Sequence, residues 1–214
     1  MELYLIRHAQ SLNNALPEEQ RVEDPALTEI GEQQAALLAK WISGLRLSRL
    51  IASPFLRTLL TAEPIHRETK LPVQIRAELH EQGGCYSGYT PQNMMGRPGM
   101  TRWEIEQRFP SFQVAADIDG QGWWRSQPYE SHEAARQRAA RLLDRTREEF
   151  EHTDERVGYV MHADIKLLFL GQFHPEPLET PYNVSVSKIA FKSKTIQLED
   201  YNMVQHLPPH LITS

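Results

Sequence analysis

Met1-Glu2-Leu3-Tyr4-Leu5-Ile6 is a short apolar run that is broken at Arg7-His8. It predicts an opening β-strand with a guanidinium and an imidazole emerging together where the strand ends. Two later segments have the same form. Leu50-Ile51-Ala52 leads into Ser53-Pro54 and Arg57, and Val157-Gly158-Tyr159-Val160-Met161 leads into His162. In open α/β sheets, ligands collect beside the carboxyl ends of strands. Three strand ends delivering two arginines and two histidines therefore predict one anion pocket, with phosphate as its favoured guest.

The segments between these strands alternate in pattern. Residues 7 to 27 are polar and Pro-containing, which predicts a long loop. Thr28 is placed to cap a helix with Leu37, Leu38, Trp41, Ile42 and Leu45 at helical spacing and Gly44 near its end. Arg49 to Ala52 predict a second strand. Ser53 as N-cap and Pro54 at the first helical position predict a helix over 54–67, with Arg57 near its positive end. Val73 to Arg76 read as a third strand, followed by a loop at Glu81-Gln82-Gly83-Gly84. Ser131 starts a long helix with Ala135, Ala139, Leu142, Leu143 and Phe150 on one face, Arg156 to Met161 form a strand, and 165–171 are helical. Val184 to Phe191 and Thr195 to Leu198 predict two strands joined by a tight turn at Lys192-Ser193-Lys194. The expected fold is α/β, a three-layer αβα sandwich on a mostly parallel mixed sheet. Residues 1–214 are expected to form a single domain. Within it, the irregular stretch at about 85–130, helical only over Arg102 to Phe109, forms an insertion covering the site.

Composition bounds the function. With 214 residues, 40% hydrophobic and 24% charged, the chain can bury a full core. A formal net charge of -5 argues against a nucleic-acid partner, which calls for a basic surplus. The lone Cys85 forms no internal disulfide, and no leader or membrane-spanning run is evident, so a cytoplasmic enzyme without a membrane partner is expected. No paired Cys or His-x-x-x-His spacing supports a metal site, and no cofactor is expected.

Three further groups of residues carry a family resemblance. Leu5-Ile6-Arg7-His8-Ala9-Gln10-Ser11 with Asn14, Leu27-Thr28 with Gly31 and Gln34-Ala35, and Ser53-Pro54 with Arg57-Thr58 and Thr61-Ala62 resemble the histidine phosphatase superfamily, which includes the phosphoglycerate mutases. The likeness continues through Leu79-His80-Glu81, His162-Ala163-Asp164-Ile165-Lys166, Asn183 with Ser185-Val186, and Asn202 near His206-Leu207. It spans nearly the whole chain and is weakest over 85–130. Ala9 and Ala163 stand where the family usually has Gly after each catalytic histidine, which predicts a slightly reshaped pocket or weakened activity.

The chemistry suits these residue types. A phosphate monoester carries nearly two negative charges that repel a nucleophile until they are neutralised. Arg7 and Arg57 offer planar donor forks that are always charged. The resemblance implies that His8 is the nucleophile, attacking as a neutral imidazole to give a phosphohistidine. It also implies that His162, protonated while a dianion is bound, donates to the phosphoryl oxygens. Asn14 adds a neutral donor. Glu81 is the expected acid for the leaving alkoxide and then the base for water, on a carboxyl whose pKa is raised. Glu78 is its rival. Asp164 is expected to cap a helix, and His206, Trp103, Trp123, Trp124, Arg97, Arg102 and Arg125 to be structural or surface residues. The favoured reading is a histidine acid phosphatase-type phosphoric monoester hydrolase, independent of metal, acting on a small phosphorylated metabolite. The alternatives are a phosphoglycerate mutase-type transfer and a catalytically weak phosphate-binding regulator. Oligomeric state is left open by the sequence.

Overall fold

In the computed structural model, which describes residues 1–214 apart from Pro91, Ser193 and Lys194, the opening run forms strand β1 (Glu2–Arg7). The later strands are β2 (Arg49–Ala52), β3 (Val73–Ile75), β4 (Tyr86–Ser87), β5 (Met95–Gly96), β6 (Gln113–Val114), β7 (Arg156–Met161), β8 (Val186–Lys192) and β9 (Thr195–Met203). The α-helices are α1 (Leu12–Ala15), α2 (Glu29–Ser43), α3 (Leu56–Thr69), α4 (Arg102–Arg108), α5 (His132–Phe150) and α6 (Ala163–Leu170). Among the described residues, seven strands make one sheet in the order β6-β3-β2-β7-β1-β8-β9, and β4 and β5 pair with each other. β1, β2, β3, β6 and β7 run parallel, and β8 and β9 join antiparallel at one side. The sheet is thus mixed and mostly parallel, as the alternating pattern predicts.

Alternation along the strands divides the interior into two cores. Tyr4 and Ile6 of β1 pack with Leu38 and Ile42 of α2 and Leu59 and Ile65 of α3. Leu3 and Leu5, pointing the other way, pack with Leu142 of α5 and with Ile165 and Phe169 of α6. Helices therefore cover both faces, which makes the three layers. Each fully buried aliphatic side chain contributes about 1.5–3 kcal/mol relative to exposure.

Register aligns the three strand ends. Arg7 lies opposite Met161, and Ala52 opposite Val160. The next residues continue the ladder, with His8 N donating to Met161 O at 2.9 Å and Ser53 N to Val160 O at 3.0 Å. His8, Ser53 and His162 therefore leave neighbouring strands at one level of the sheet.

Several boundaries differ from expectation. Ser53 is not the cap of α3: the N-cap is Phe55, and the helix starts at Leu56. The reason is a competing partner, because the Ser53 hydroxyl lies against His162. The loop over 7–27 contains α1 and a 3-10 turn at Glu18–Gln20. Helix α6 begins at Ala163, before the expected position, and Asp164 sits in its first turn and not at the cap. The strand β9 runs five residues beyond Leu198. The expected turn at Lys192-Ser193-Lys194 falls partly on Ser193 and Lys194, outside the described residues.

The segment after the third strand is tied down by aromatic and ionic contacts. The His80 ring packs against Trp123 and Trp124 at centroid distances of 5.5 and 4.9 Å. Gly84 is required here, since its φ is +75° and a Cβ would meet the Trp124 ring at 2.2 Å. Cys85 is buried beside this packing. The segment also lends the sheet its edge strand, because β6 pairs parallel with β3. Arg102 is no free surface charge: it donates to the carbonyls of Ile118 (3.0 Å) and Ala115 (2.6 Å). Trp103 is 68% exposed, whereas Trp123 and Trp124 are buried. No helix among the described residues is long and apolar enough to cross a membrane.

Candidate active site

His8 is buried and its ring is fixed at one nitrogen. The Ala9 carbonyl can only accept, so the 2.7 Å contact with His8 Nδ1 places the proton on Nδ1. Nε2 then carries the lone pair, and it accepts from Arg57 Nε at 3.3 Å. Burial, with the charges of Arg57 and Arg7, holds this imidazole well below its usual pKa, so it is neutral. The backbone of His8 is equally constrained. Its carbonyl accepts from Val184 N at 3.2 Å and from Asn183 Nδ2 at 3.2 Å. Val184 reaches that position with φ at 51°, a left-handed conformation that stores about 1–3 kcal/mol in a β-branched residue.

The loop leaving His8 is pinned to α2. Thr28 N donates to Gln10 O at 3.0 Å and Gln10 N donates to Gln34 Oε1 at 2.8 Å. A Cβ at Gly31 would meet that Gln10 carbonyl at 2.1 Å, so glycine is needed for the approach. Thr28 caps α2 as expected, accepting from Gly31 N at 3.0 Å, a contact worth about 1 kcal/mol.

His162 stands edge-on to His8, with ring centroids 5.1 Å apart. Its Nε2 meets Ser53 Oγ at 2.8 Å, and its Nδ1 is buried without a partner among the described residues. Burial comes first, then the charge of Arg57, in holding this imidazole also well below its usual pKa. Without an anion in place, His162 is therefore neutral.

Arg7 donates through Nη1 to the Pro181 carbonyl, and its Nε is buried without a partner among the described residues. Arg57 lies with its guanidinium carbon 4.0 Å above the Phe55 ring centre. Its Nη1 is 3.9 Å from Asp24 Oδ1. Asp24 carries no sequence signal of its own. It lies in a loop without periodicity, yet its Oδ1 accepts from Leu56 N at 2.8 Å and so caps α3 from outside the helix. Its Oδ2 is buried without a partner among the described residues, and burial pushes the carboxyl up to about 7 despite Arg57. Lys166, fully buried, donates to Ser185 O at 3.3 Å; burial and the charge of Arg7 hold its amine well below the usual range.

Glu81 sits across the N-terminus of α6. Oε1 accepts from Ile165 N at 3.1 Å and Gln82 N at 2.9 Å, and Oε2 accepts from Asp164 N at 3.3 Å. Glu81 is thus the capping group expected of Asp164. Burial and the nearby charge of Asp164 nevertheless raise the Glu81 carboxyl above its ordinary pKa, against the pull of these amides and Arg57. Glu78 points elsewhere, pairing with Arg145 at 3.0 Å. Asn14 spends its amide oxygen on Ser11 N and Ser11 Oγ, both at 3.0 Å, which leaves its NH2 group as the donor. A cleft of about 90 Å³ opens beside Arg57 and Glu81. Among the described residues, no group of three or more His, Cys, Asp or Glu is arranged to hold a metal ion.

Known proteins share both the sequence pattern and the fold. The profile of the Histidine phosphatase superfamily (branch 1) matches residues 3–204. The chain is 34% identical over 116 residues to Phosphoserine phosphatase 1 of Hydrogenobacter thermophilus, covering 53% of this chain and 55% of that protein. It is 43% identical over 65 residues to the Probable phosphoglycerate mutase GpmB of Erwinia tasmaniensis, 30% of each chain. These matches span about half or less of the relatives' own length. Among solved structures, the mycobacterial glucosyl-3-phosphoglycerate phosphatase is similar in fold, with a TM-score of 0.65 and 20% identity over 95% of this chain and 99% of that one.

Proposed function

The chain belongs to the histidine phosphatase superfamily, branch 1, and from that membership we propose that it is a metal-independent phosphomonoesterase acting on a small phosphorylated metabolite through a phosphohistidine on His8. The observation that carries the reading is the His8 ring. Its proton is held on Nδ1 by the Ala9 carbonyl, and the free pair on Nε2 faces the Arg57 guanidinium.

In the proposed reaction the arriving phosphoryl group takes the donors of Arg57 and Arg7 and releases Nε2 for attack. Nε2 forms a bond to phosphorus as the ester P–O bond breaks, and Glu81 gives its proton to the departing alkoxide. The phosphoryl dianion raises the pKa of His162, which then donates through Nδ1 to a phosphoryl oxygen, while Asn14 adds a neutral donor. Water next attacks phosphorus, Glu81 takes its proton, the N–P bond breaks, and inorganic phosphate leaves a neutral His8.

The test is release of phosphate from p-nitrophenyl phosphate with EDTA present. His8→Ala is expected to abolish it, and acid-stable trapping is not expected, since a phosphohistidine survives alkali and not acid. Loss of activity on adding EDTA would contradict the proposal. The likeness to GpmB favours a second reading, transfer of the phosphoryl group back to another oxygen of the bound product. Conversion of 3-phosphoglycerate to 2-phosphoglycerate would establish that reading instead.

A further inference from the structure

The cleft beyond Arg57 and Glu81 has a size and a charge that bear on the leaving group. Its volume is about 90 Å³, and it is open to solvent on one side. A leaving group of a few heavy atoms lies wholly within reach of its lining. One wall is the loop bearing Glu18, Arg21 and Glu23, and the other carries Tyr86 and Tyr89. Arg21 already stands opposite Glu18 at 3.9 Å, which leaves Glu23 as the surplus charge. The cationic groups deeper in the site, Arg57 and Arg7, are the ones the phosphoryl oxygens require.

From this arrangement, and resting on the phosphatase reading above, we infer that the substrate is the phosphate monoester of a short amino alcohol, with an ammonium on its leaving group. An ammonium two or three bonds from the ester oxygen meets a wall that carries Glu23, Tyr86 and Tyr89, a carboxylate and two aromatic rings of the kinds that attract cations. A carboxylate or second phosphate at the same place meets Glu18 and Glu23 instead. A carboxylate beside the ammonium is tolerated, since Arg21 can turn to it, but it is not what the cleft selects. The same charges disfavour the doubly phosphorylated intermediate that a mutase must hold.

The experiment compares kcat/KM for phosphoethanolamine, glycerol 3-phosphate and 3-phosphoglycerate at low and high salt, with p-nitrophenyl phosphate as the reference ester. Phosphoethanolamine is expected to exceed 3-phosphoglycerate about tenfold, the size of one attractive and one repulsive exposed charge contact together. Glycerol 3-phosphate should fall between them. High salt should narrow the ratio by screening, and the Glu18→Gln/Glu23→Gln double variant should bring it toward one. The salt series on the unaltered protein keeps the test decisive if the variant does not fold. Turnover of p-nitrophenyl phosphate with 3-phosphoglycerate equal to or better than phosphoethanolamine would overturn this inference alone. Failure to turn over any ester, p-nitrophenyl phosphate included, would remove the phosphatase reading and this inference with it.

Discussion

Glu81 and Asp24 are two carboxyls near the same arginine, and burial raises the pKa of both. Glu81 accepts three backbone amides, yet its pKa is raised. In the proposed reaction this keeps a proton available to the leaving group at higher pH than an ordinary carboxyl would. kcat for an alkyl ester is accordingly expected to fall as pH rises through the Glu81 pKa. Glu81→Gln should flatten that limb and lower kcat for the alkyl ester by about 100-fold or more. The loss should be much smaller with p-nitrophenyl phosphate, whose leaving group needs little acid; equal losses on both esters would contradict the role. Asp24 titrates at about 7 in the fold, against 3.8 for a free aspartate carboxyl. A raised pKa means the folded state holds the proton longer than the unfolded chain. Stability from this group is full below about 3.8 and is lost as pH rises to about 7. Asp24→Asn should therefore gain on the unaltered protein between pH 5 and pH 8 by on the order of 2–3 kcal/mol in urea denaturation. No change in that difference with pH would argue against the assignment. The His8, His162, Arg7 and Arg57 positions were legible because each follows an apolar run in sequence. Asp24 was not, because a loop residue that caps a distant helix leaves no local pattern.

Short elements and their ends show where local sequence is outweighed by tertiary partners. Ser53-Pro54 has the chemistry of a helix start, but a buried imidazole offers the hydroxyl a better partner, and the helix begins two residues later. The first turn of α6 is satisfied by Glu81, more than eighty residues earlier in the chain. The two-residue strand β6 is too short to show alternation, so nothing in sequence marked it as part of the sheet. The loop bearing Glu81 is positioned by α5. Arg138 grips Glu130 through two contacts of 2.9 and 2.6 Å and donates to the carbonyls of Glu78 and His80 at 2.8 and 3.0 Å. Arg138→Met should cost about 3–5 kcal/mol, because it leaves Glu130 buried without its cation. Arg138→Met/Glu130→Leu should recover most of that loss in thermal or urea unfolding; if the double variant is no more stable than the single, burial of the unpaired charge is not the cause. Burial pushes the Glu130 carboxyl up, but hydrogen bonds from Arg138 and His80 outweigh it and hold the group down at about 2 against an ordinary 4.5. Its contribution is present above about pH 4.5 and lost as pH falls toward 2.

At the scale of the molecule, the order of strands and helices was legible because the two periods, two for strands and 3.6 for helices, are distinct along most of the chain. Leu3 and Leu5 facing one core while Tyr4 and Ile6 face the other is the physical form of that signal. Convergence of the site followed from topology, since β1, β2 and β7 are neighbours with their carboxyl ends at one edge. The path of residues 85–130 was not legible. It is set by Trp123 and Trp124 around His80 and by Arg102 on distant carbonyls, contacts that have no period to read.

The lone thiol of the chain makes the fit of this segment measurable. Cys85 is 1% exposed and burial pushes its pKa up to about 12, so a disulfide reagent cannot attack it while it stays buried. Its labelling rate then becomes a clock for how often the packing around Cys85 opens. Adding inorganic phosphate should slow that clock if anion binding at the site tightens this packing, and an unchanged rate would mean that the two are independent.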